Sequence, residues 1–319
     1  METELTKEYP LVSIVIPVYN GSNYMRDAID SALGQTYPNI EVLVVNDGSS
    51  DGGKTAEIAR SYGDRIRYFE KPNGGVSSAL NLGIREMRGE YFSWLSHDDK
   101  YDDKKIETQV NQLLGTSKTV SLCRSVFIDT NNHIMKPPTE RDSYAVKGWK
   151  DALITVLQNC PAGCSFLLPA NVFEVCGGFN EELRYCQDKL MWSVMFLHEY
   201  SLAYCEYVGV FYRMHPQQVT QTSSHLYHSD SNLISSYLIP PLAEKSNKEY
   251  NFLYYYAKGE AIHGNNCVVN QAISAANEKS LFSAGDKLRL RVLSAYGKIR
   301  PGIRRLYYRI RKLHGTPVQ

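Results

Sequence analysis

The chain has no run approaching the roughly 18 uncharged apolar residues of a membrane-spanning helix. Its opening, METELTKEYP, carries acidic residues and no apolar stretch. Neither a transmembrane helix nor a secretory signal is expected. Cysteine is sparse and unpatterned: there are seven, an odd number, and neither Cys160/Cys164 nor Cys176/Cys186 has a zinc-type spacing. This points to a reducing, cytoplasmic setting. No internal repeat is visible. Acidic residues are missing from Lys287 to Lys312, where ten Lys or Arg fall. The formal net charge of +1 hides this asymmetry, because the remaining 25 basic and 34 acidic side chains give −9. An acidic body with no recognition motif argues against nucleic acid as a partner.

What is present suffices for a sizeable core: 319 residues, 43% of them hydrophobic, form one large domain or one domain with an appendage. The first half alternates strand and helix patterns. Val12–Val18 is a β-branched run, and Tyr24–Leu33 then has apolar residues at helical spacing, with Ser22 or Asn23 as a cap. The pattern recurs with Ile40–Val45 and Thr55–Arg60, Ile66–Phe69 and Val76–Met87, Tyr91–Leu95 and Asp103–Leu114, and a strand at Val120–Ile128. Such alternation predicts an α/β fold, a doubly wound, mostly parallel sheet with binding loops at the strands' carboxyl ends.

After a polar loop at Asn131–Arg141 the pattern loosens. It predicts a helix from Trp149, a strand near Ser165–Leu168, a helix near Asp188–His198 and two short strands, Leu202–Tyr207 and Val210–Tyr212. From about His225 the chain reads as mostly helical, so residues 1–224 are expected to form one domain and 225–319 a helical, basic region. There Ile303, Leu306, Tyr307, Ile310 and Leu313 fall at helical spacing, predicting a basic amphipathic helix that starts near Pro301. Such a helix can lie on an anionic membrane surface, or pack its apolar stripe on its own domain with the bases in water.

Four segments carry candidate chemistry. Asn46-Asp47-Gly48 puts a carboxylate just after a buried-type strand, where it can hydrogen-bond a nucleobase or ribose. The following Gly48-Ser49-Ser50-Asp51-Gly52-Gly53-Lys54-Thr55 fits a phosphate-loop pattern, but Asp47 and Asp51 would repel a triphosphate, which disfavours a nucleotidase. Asn73-Gly74-Gly75 precedes a helix whose N-terminus can attract an anion, although a plain loop and cap explains the glycines nearly as well. A strand ending in Ser96-His97-Asp98-Asp99 presents hard oxygen ligands that can join Mg²⁺ or Mn²⁺ to a diphosphate; a helix cap is the plainer alternative. His97 can also ligate, though local packing is the commoner role. Asp188 opens a helix, where a carboxylate is stabilised as an anion and can serve as base or as cap.

Together these segments resemble glycosyltransferase family 2, over about residues 11–220. The likeness rests on VSIVIPVYNGSNYMRDAIDSALGQTYPNIEVLVVNDGSSDGG from Val12, on the N-G-G-x-S-x-A-x-N-x-G segment from Asn73, on the acidic motif at Asp98-Asp99, on Gln187-Asp188 and on Arg213-Met214-His215. The resemblance implies a GT-A (Rossmann-like) fold with a helical C-terminal extension, and transfer of a sugar from a nucleotide diphosphate donor with inversion. It assigns donor binding to Pro17, Tyr19, Asp47, Asn73, Gly74, Asp98, Arg213 and His215, a divalent metal (Mn²⁺ or Mg²⁺) to Asp98 and Asp99, and the catalytic base to Asp188. A UDP-sugar is the implied donor, with a dTDP-sugar still open. The implied acceptor is a saccharide or lipid-linked saccharide, in bacterial surface polysaccharide or glycolipid assembly at the inner face of the cell membrane. The Q-x-x-R-W segment of processive synthases is absent, which implies transfer of a single sugar. Ser96 and Gln187 stand where the family commonly has carboxylates, which leaves a non-catalytic sugar-nucleotide or glycan-binding scaffold as an alternative.

Overall fold

The structure, a computed structural model, describes residues 9–136, 148–218 and 222–313, with side chains through Arg300. Val219, Thr220 and residues 137–141 of the polar loop lie outside the described residues, as do the side chains of Ile303, Leu306, Tyr307, Ile310 and Leu313. The chain divides into two compact units, residues 1–152 with 161–225, and 153–160 with 226–319.

The first unit is built on a nine-stranded sheet. Strand β1 (Val12–Val18) is buried along its whole length, as a central strand covered on both faces must be. It pairs in parallel with β2 (Ile40–Asn46) and β4 (Tyr91–Trp94), and β2 pairs in parallel with β3 (Arg67–Glu70). The crossovers carry α1 (Met25–Leu33), α2 (Lys54–Arg60) and α3 (Val76–Glu86). Their amphipathic sequences bury Ala28, Ile29, Ala59, Ala79 and Leu80. The carboxyl ends of β1, β2 and β4 therefore open side by side on one edge.

Beyond β4 the sheet departs from a simple parallel pattern. Strand β8 (Phe166–Pro169) runs antiparallel between β4 and β6 (Thr119–Ile128), and β6 pairs in parallel with β9 (Ser201–Arg213). Where two short strands are expected, β9 is one strand whose register against β6 shifts between Cys123 and Ser125, so a bulge rather than a break separates its halves. Strands β5 (Lys100–Tyr101) and β7 (Ile134–Lys136) are not predicted. β7 falls within the expected loop, folded back on β6 by a turn in which Asp129 accepts from the N–H groups of Asn131 and His133. The cap of α1 also differs from expectation: Tyr24 is the N-cap, with no side-chain bond. Helices α4 (Lys105–Leu113), α6 (Asn171–Cys176) and α7 (Gln187–Leu197) complete this unit, while α5 (Trp149–Gln158) starts in it and from residue 153 belongs to the second.

The second unit contains α8 (Tyr227–Lys245), α9 (Phe252–Ile262), α10 (Asn266–Glu278) and α11 (Ala284–Leu313). Helix α11 corrects the expectation of a start near Pro301: it begins 17 residues earlier. Ser283 and Asp286 start it with a reciprocal cap, in which the Ser283 backbone N–H donates to the Asp286 carboxylate and the Asp286 N–H to Ser283 Oγ. No helix among the described residues is long and apolar enough to cross a membrane.

Candidate functional site

The first cluster forms where β2 ends. Asp47 is turned back on the chain: its Oδ1 accepts from Lys71 Nζ at 2.6 Å and from Gly74 N–H at 3.0 Å, and its Oδ2 accepts from Gly75 N–H at 2.7 Å. A single buried carboxylate thus ties the loop after β2 to the loop that begins α3. Gly75 has φ +89°, and a Cβ there would lie 2.5 Å from Arg184 Nη1, which donates to the Gly74 carbonyl at 2.7 Å. Asn73 is exposed beside this contact, and Tyr19 is exposed at the end of β1 with its hydroxyl 3.3 Å from Ser50 Oγ. Pro17 is buried within β1, where its carbonyl accepts from His97.

The phosphate-loop match loses its chemistry in the structure. Asp51, inside the loop, takes the backbone N–H and the hydroxyl of Thr55, so a carboxylate already occupies the N-terminus of α2. Lys54 is exposed.

The second cluster follows β4. Asp98 Oδ2 lies 2.9 Å from His215 Nε2, whose ring packs at 5.0 Å from that of Tyr24. Burial works to raise the Asp98 carboxyl, but the bond with His215 and the charge of His97 outweigh it and hold it below its usual range. The same bond raises the His215 imidazole. Asp99 is fully enclosed, its Oδ1 accepting from Arg213 N–H at 2.9 Å and its Oδ2 from Cys164 Sγ at 3.4 Å. Burial, and then the neighbouring Asp98 charge, push Asp99 well above the carboxylate range. Neither acid caps α4, which removes the plainer alternative for this pair. His97 is half-buried, and desolvation lowers its pKa, in keeping with a packing role.

Ser96 and Cys164 form one unit, since both the N–H and the hydroxyl of Ser96 meet Cys164 Sγ, at 3.3 and 3.2 Å. Burial raises the Cys164 thiol far enough to keep it protonated and able to donate to Asp99. Beneath β4, Lys105 Nζ donates to Ser93 Oγ at 3.0 Å and sits 4.1 Å from the centre of the Tyr101 ring. Lys105 has no ion pair among the described residues, and burial lowers its pKa to about 8.

Arg213, expected among the donor-binding groups, is fully buried and its guanidinium is used inside the protein. It donates to the Asp98 carbonyl at 2.8 Å and to Asp27 Oδ2 at 2.8 Å, and lies over the Tyr24 ring. This is the arginine–carboxylate arrangement that fixes a loop. Asp188 is the second residue of α7, partly buried, with Oδ1 accepting from Lys189 N–H at 2.8 Å. The preceding segment is pinned to α3 by Asn81, which donates to the Phe179 carbonyl and accepts from the Phe179 N–H, both at 2.8 Å. Gln187 is buried beside Asp188, and its side-chain oxygen has no partner among the described residues.

The donor set suits a hard cation only in part. No group of three or more His, Cys, Asp or Glu among the described residues is arranged to hold a metal. Two carboxylates fit Mn²⁺ or Mg²⁺ if a diphosphate and water supply the other ligands. Asp98 is the more accessible of the two, since Asp99 has both oxygens engaged from within. Sequence reasoning missed Lys71, Arg184, Cys164 and Asp27. All four lie within segments already of interest, but nothing local marks what Cys164 or Asp27 touches.

The profile described as glycosyl transferase family 2 matches residues 13–171. An uncharacterized glycosyltransferase of Rickettsia typhi is 46% identical over 231 residues, 72% of this chain and 72% of that protein. A longer relative from Rickettsia felis, also an uncharacterized glycosyltransferase, is matched over only 39% of its length. Among solved structures, S. aureus TarS 1–349 in complex with UDP-GlcNAc gives a TM-score of 0.68 at 15% identity, covering 90% of this chain and 88% of that one. The mannosyltransferase PcManGT from Pyrobaculum calidifontis, in complex with GDP-Man and Mn²⁺, gives 0.54 at 17% identity, covering 92% and 82%. These likenesses are of fold: mixed α/β with a curled, mostly parallel sheet and C-terminal helices, as in GT-A glycosyltransferases.

Proposed function

Because the chain belongs to glycosyltransferase family 2, we propose that it moves one hexosyl group, with inversion, from a nucleotide diphosphate sugar to a hydroxyl of a saccharide or lipid-linked saccharide. The observation that carries this reading is the placing of two acidic clusters at the carboxyl ends of β2 and β4, the parallel strands on either side of β1, where an α/β sheet binds nucleotides. The Asp47 clamp presets the loops that border the donor, with Tyr19, Asn73 and Gly74 at its rim. Asp98 is the carboxylate that would hold a divalent cation, with Asp99, Cys164 and Arg213 keeping the loop in position. A bound Mn²⁺ or Mg²⁺ would offset negative charge on the departing diphosphate.

Asp188 removes the acceptor hydroxyl proton onto its carboxylate as the oxygen attacks the anomeric carbon from the face opposite the leaving group. A UDP-sugar is the proposed donor, supported by the UDP-GlcNAc complex of TarS; the GDP-Man complex of PcManGT keeps GDP-sugars in the test. Assembly of surface polysaccharide or glycolipid is the proposed setting.

The test is release of nucleotide diphosphate from a panel of UDP-, GDP- and dTDP-sugars, with Mn²⁺ and with chelator. Chelator-sensitive release from one UDP-sugar is the expected result. No release and no metal-dependent donor binding would replace the transferase with a binding scaffold.

A further inference from the structure

Helix α11 has two faces of opposite character. Toward α9 and α10 it presents Leu290, Ser294 and Gly297, all buried. At Gly297 the approach is close enough that a Cβ would lie 2.5 Å from the Ala261 carbonyl oxygen, so this face is seated backbone against backbone. The other face carries Leu288, Val292, Tyr296 and Ile299, which are 64%, 61%, 52% and 58% exposed. At about 100° per residue these four fall within one quarter of the helix circumference, opposite the buried face. A contiguous apolar stripe of this kind needs a partner.

The charges beside the stripe indicate which partner. Lys287, Arg291 and Lys298 run along one border and Arg289 and Arg300 along the other, and no acid occurs from Lys287 to Lys312. The one acid of the first turn, Asp286, is held in the cap with Ser283. Past Arg300 the sequence keeps the same three- and four-residue steps, with Ile303, Leu306, Ile310 and Leu313, while α11 itself continues to Leu313. A second copy of this face would set like charges against each other. Nucleic acid offers phosphates to the bases but nothing to an apolar stripe. A bilayer with anionic headgroups satisfies both at once, with acyl chains for the stripe and phosphates for the flanking bases.

We propose that this face of α11 is a docking surface for an anionic lipid bilayer, on which the helix lies in the plane of the interface. The inference stands apart from the catalytic reading, because it uses none of the residues of the strand-end site.

The test is co-sedimentation of the full chain with vesicles of phosphatidylcholine alone and of phosphatidylcholine mixed equally with phosphatidylglycerol. Partition into the mixed vesicles should exceed that into the neutral ones by more than about tenfold and should fall with added salt. Val292→Asp with Ile299→Asp should abolish it. Arg291→Ala and Lys298→Ala should weaken it by about fivefold for each base removed, with the melting midpoint unchanged. This basic pair keeps the test valid if the apolar double variant fails to fold. Equal partition into both vesicle types, or into neither, overturns the proposal. So does a dimer in light scattering that the same apolar substitutions dissolve without any vesicle binding, or retention by nucleic acid alone.

Discussion

The two carboxylate clusters follow β2 and β4, the strands that flank β1, yet they are built to opposite rules. Around Asp47 the charge is answered within the chain by Lys71 and by the N–H groups of Gly74 and Gly75. Around Asp98 and Asp99 two acids stand in sequence, one kept ionised by His215 and the other driven toward its neutral form by burial and by its neighbour. The lysine below them, Lys105, is buried with no carboxylate of its own among the described residues. A cluster whose charges are matched gains little from a ligand, whereas an unmatched one has free energy left for a cation and a diphosphate to release. On the proposed reading the first would be a fixed frame and the second the part that responds to the donor.

The largest effect should come from a residue outside both clusters. If Asp188 is the base, Asp188→Asn lowers turnover by roughly 10²- to 10⁴-fold while calorimetry shows donor binding unchanged. Turnover near that of the parent would move the base elsewhere. Next in size is the buried lysine. Its folded pKa, about 8, lies below the ordinary 10.5, so between these values the unfolded chain holds more protons and stability rises with pH. The gain over that window is on the order of 3 kcal/mol. Urea unfolding from pH 8 to 10 should show it in the parent and not in Lys105→Met; parallel slopes would refute the assignment. The raised tyrosines, Tyr37 and Tyr62 at about 12, titrate in both proteins and cancel from the difference.

A matched pair of variants separates the two clusters most clearly. Asp47→Ala leaves Lys71 and two N–H groups without their acceptor and should cost about 2 kcal/mol. Asp99→Asn removes a charge that the metal-free fold disfavours and should change stability by less than about 1 kcal/mol, while reducing any stabilisation by Mn²⁺ with nucleotide diphosphate. Equal losses in urea unfolding would show that the two clusters do not differ as described. The smallest effect belongs to Arg184→Ala. At this exposed position stability should stay within about 0.5 kcal/mol of the parent. Donor KM should rise by less than about tenfold with kcat nearly constant; a loss confined to kcat would argue for contact with the reacting atoms instead.

The sequence revealed those parts of the molecule whose cause is local. β1 and β2 are read from runs rich in β-branched residues, β4 from its aromatic run, and α3 and α7 from helical spacing. Strands β5 and β7 have two and three residues, too few for a period, and exist only because β9 and β6 pair with them. The start of α11 was concealed because its Ser283–Asp286 cap sits in a polar stretch, while Pro301 offered a more familiar signal. In the site, Asp47, Asp98 and Asp99 are readable from motifs, but their partners are not. Cys164 reaches Asp99 across 65 residues and Asp27 reaches Arg213 across 186, distances over which pattern carries no information. The buried state of Arg213 follows from those partners, and so was equally out of view.

The contact between Arg184 and the Gly74 carbonyl has a consequence for the timing of events. Gly75 leaves the space in which that guanidinium sits, and the segment carrying Arg184 runs on within four residues to Asp188. On the proposed reading, a donor reaching the 73–75 loop would meet Arg184, four residues before the proposed base Asp188. Coupling of donor and acceptor through this segment predicts a compulsory order in steady-state kinetics, with donor entering before acceptor; random-order kinetics would refute it.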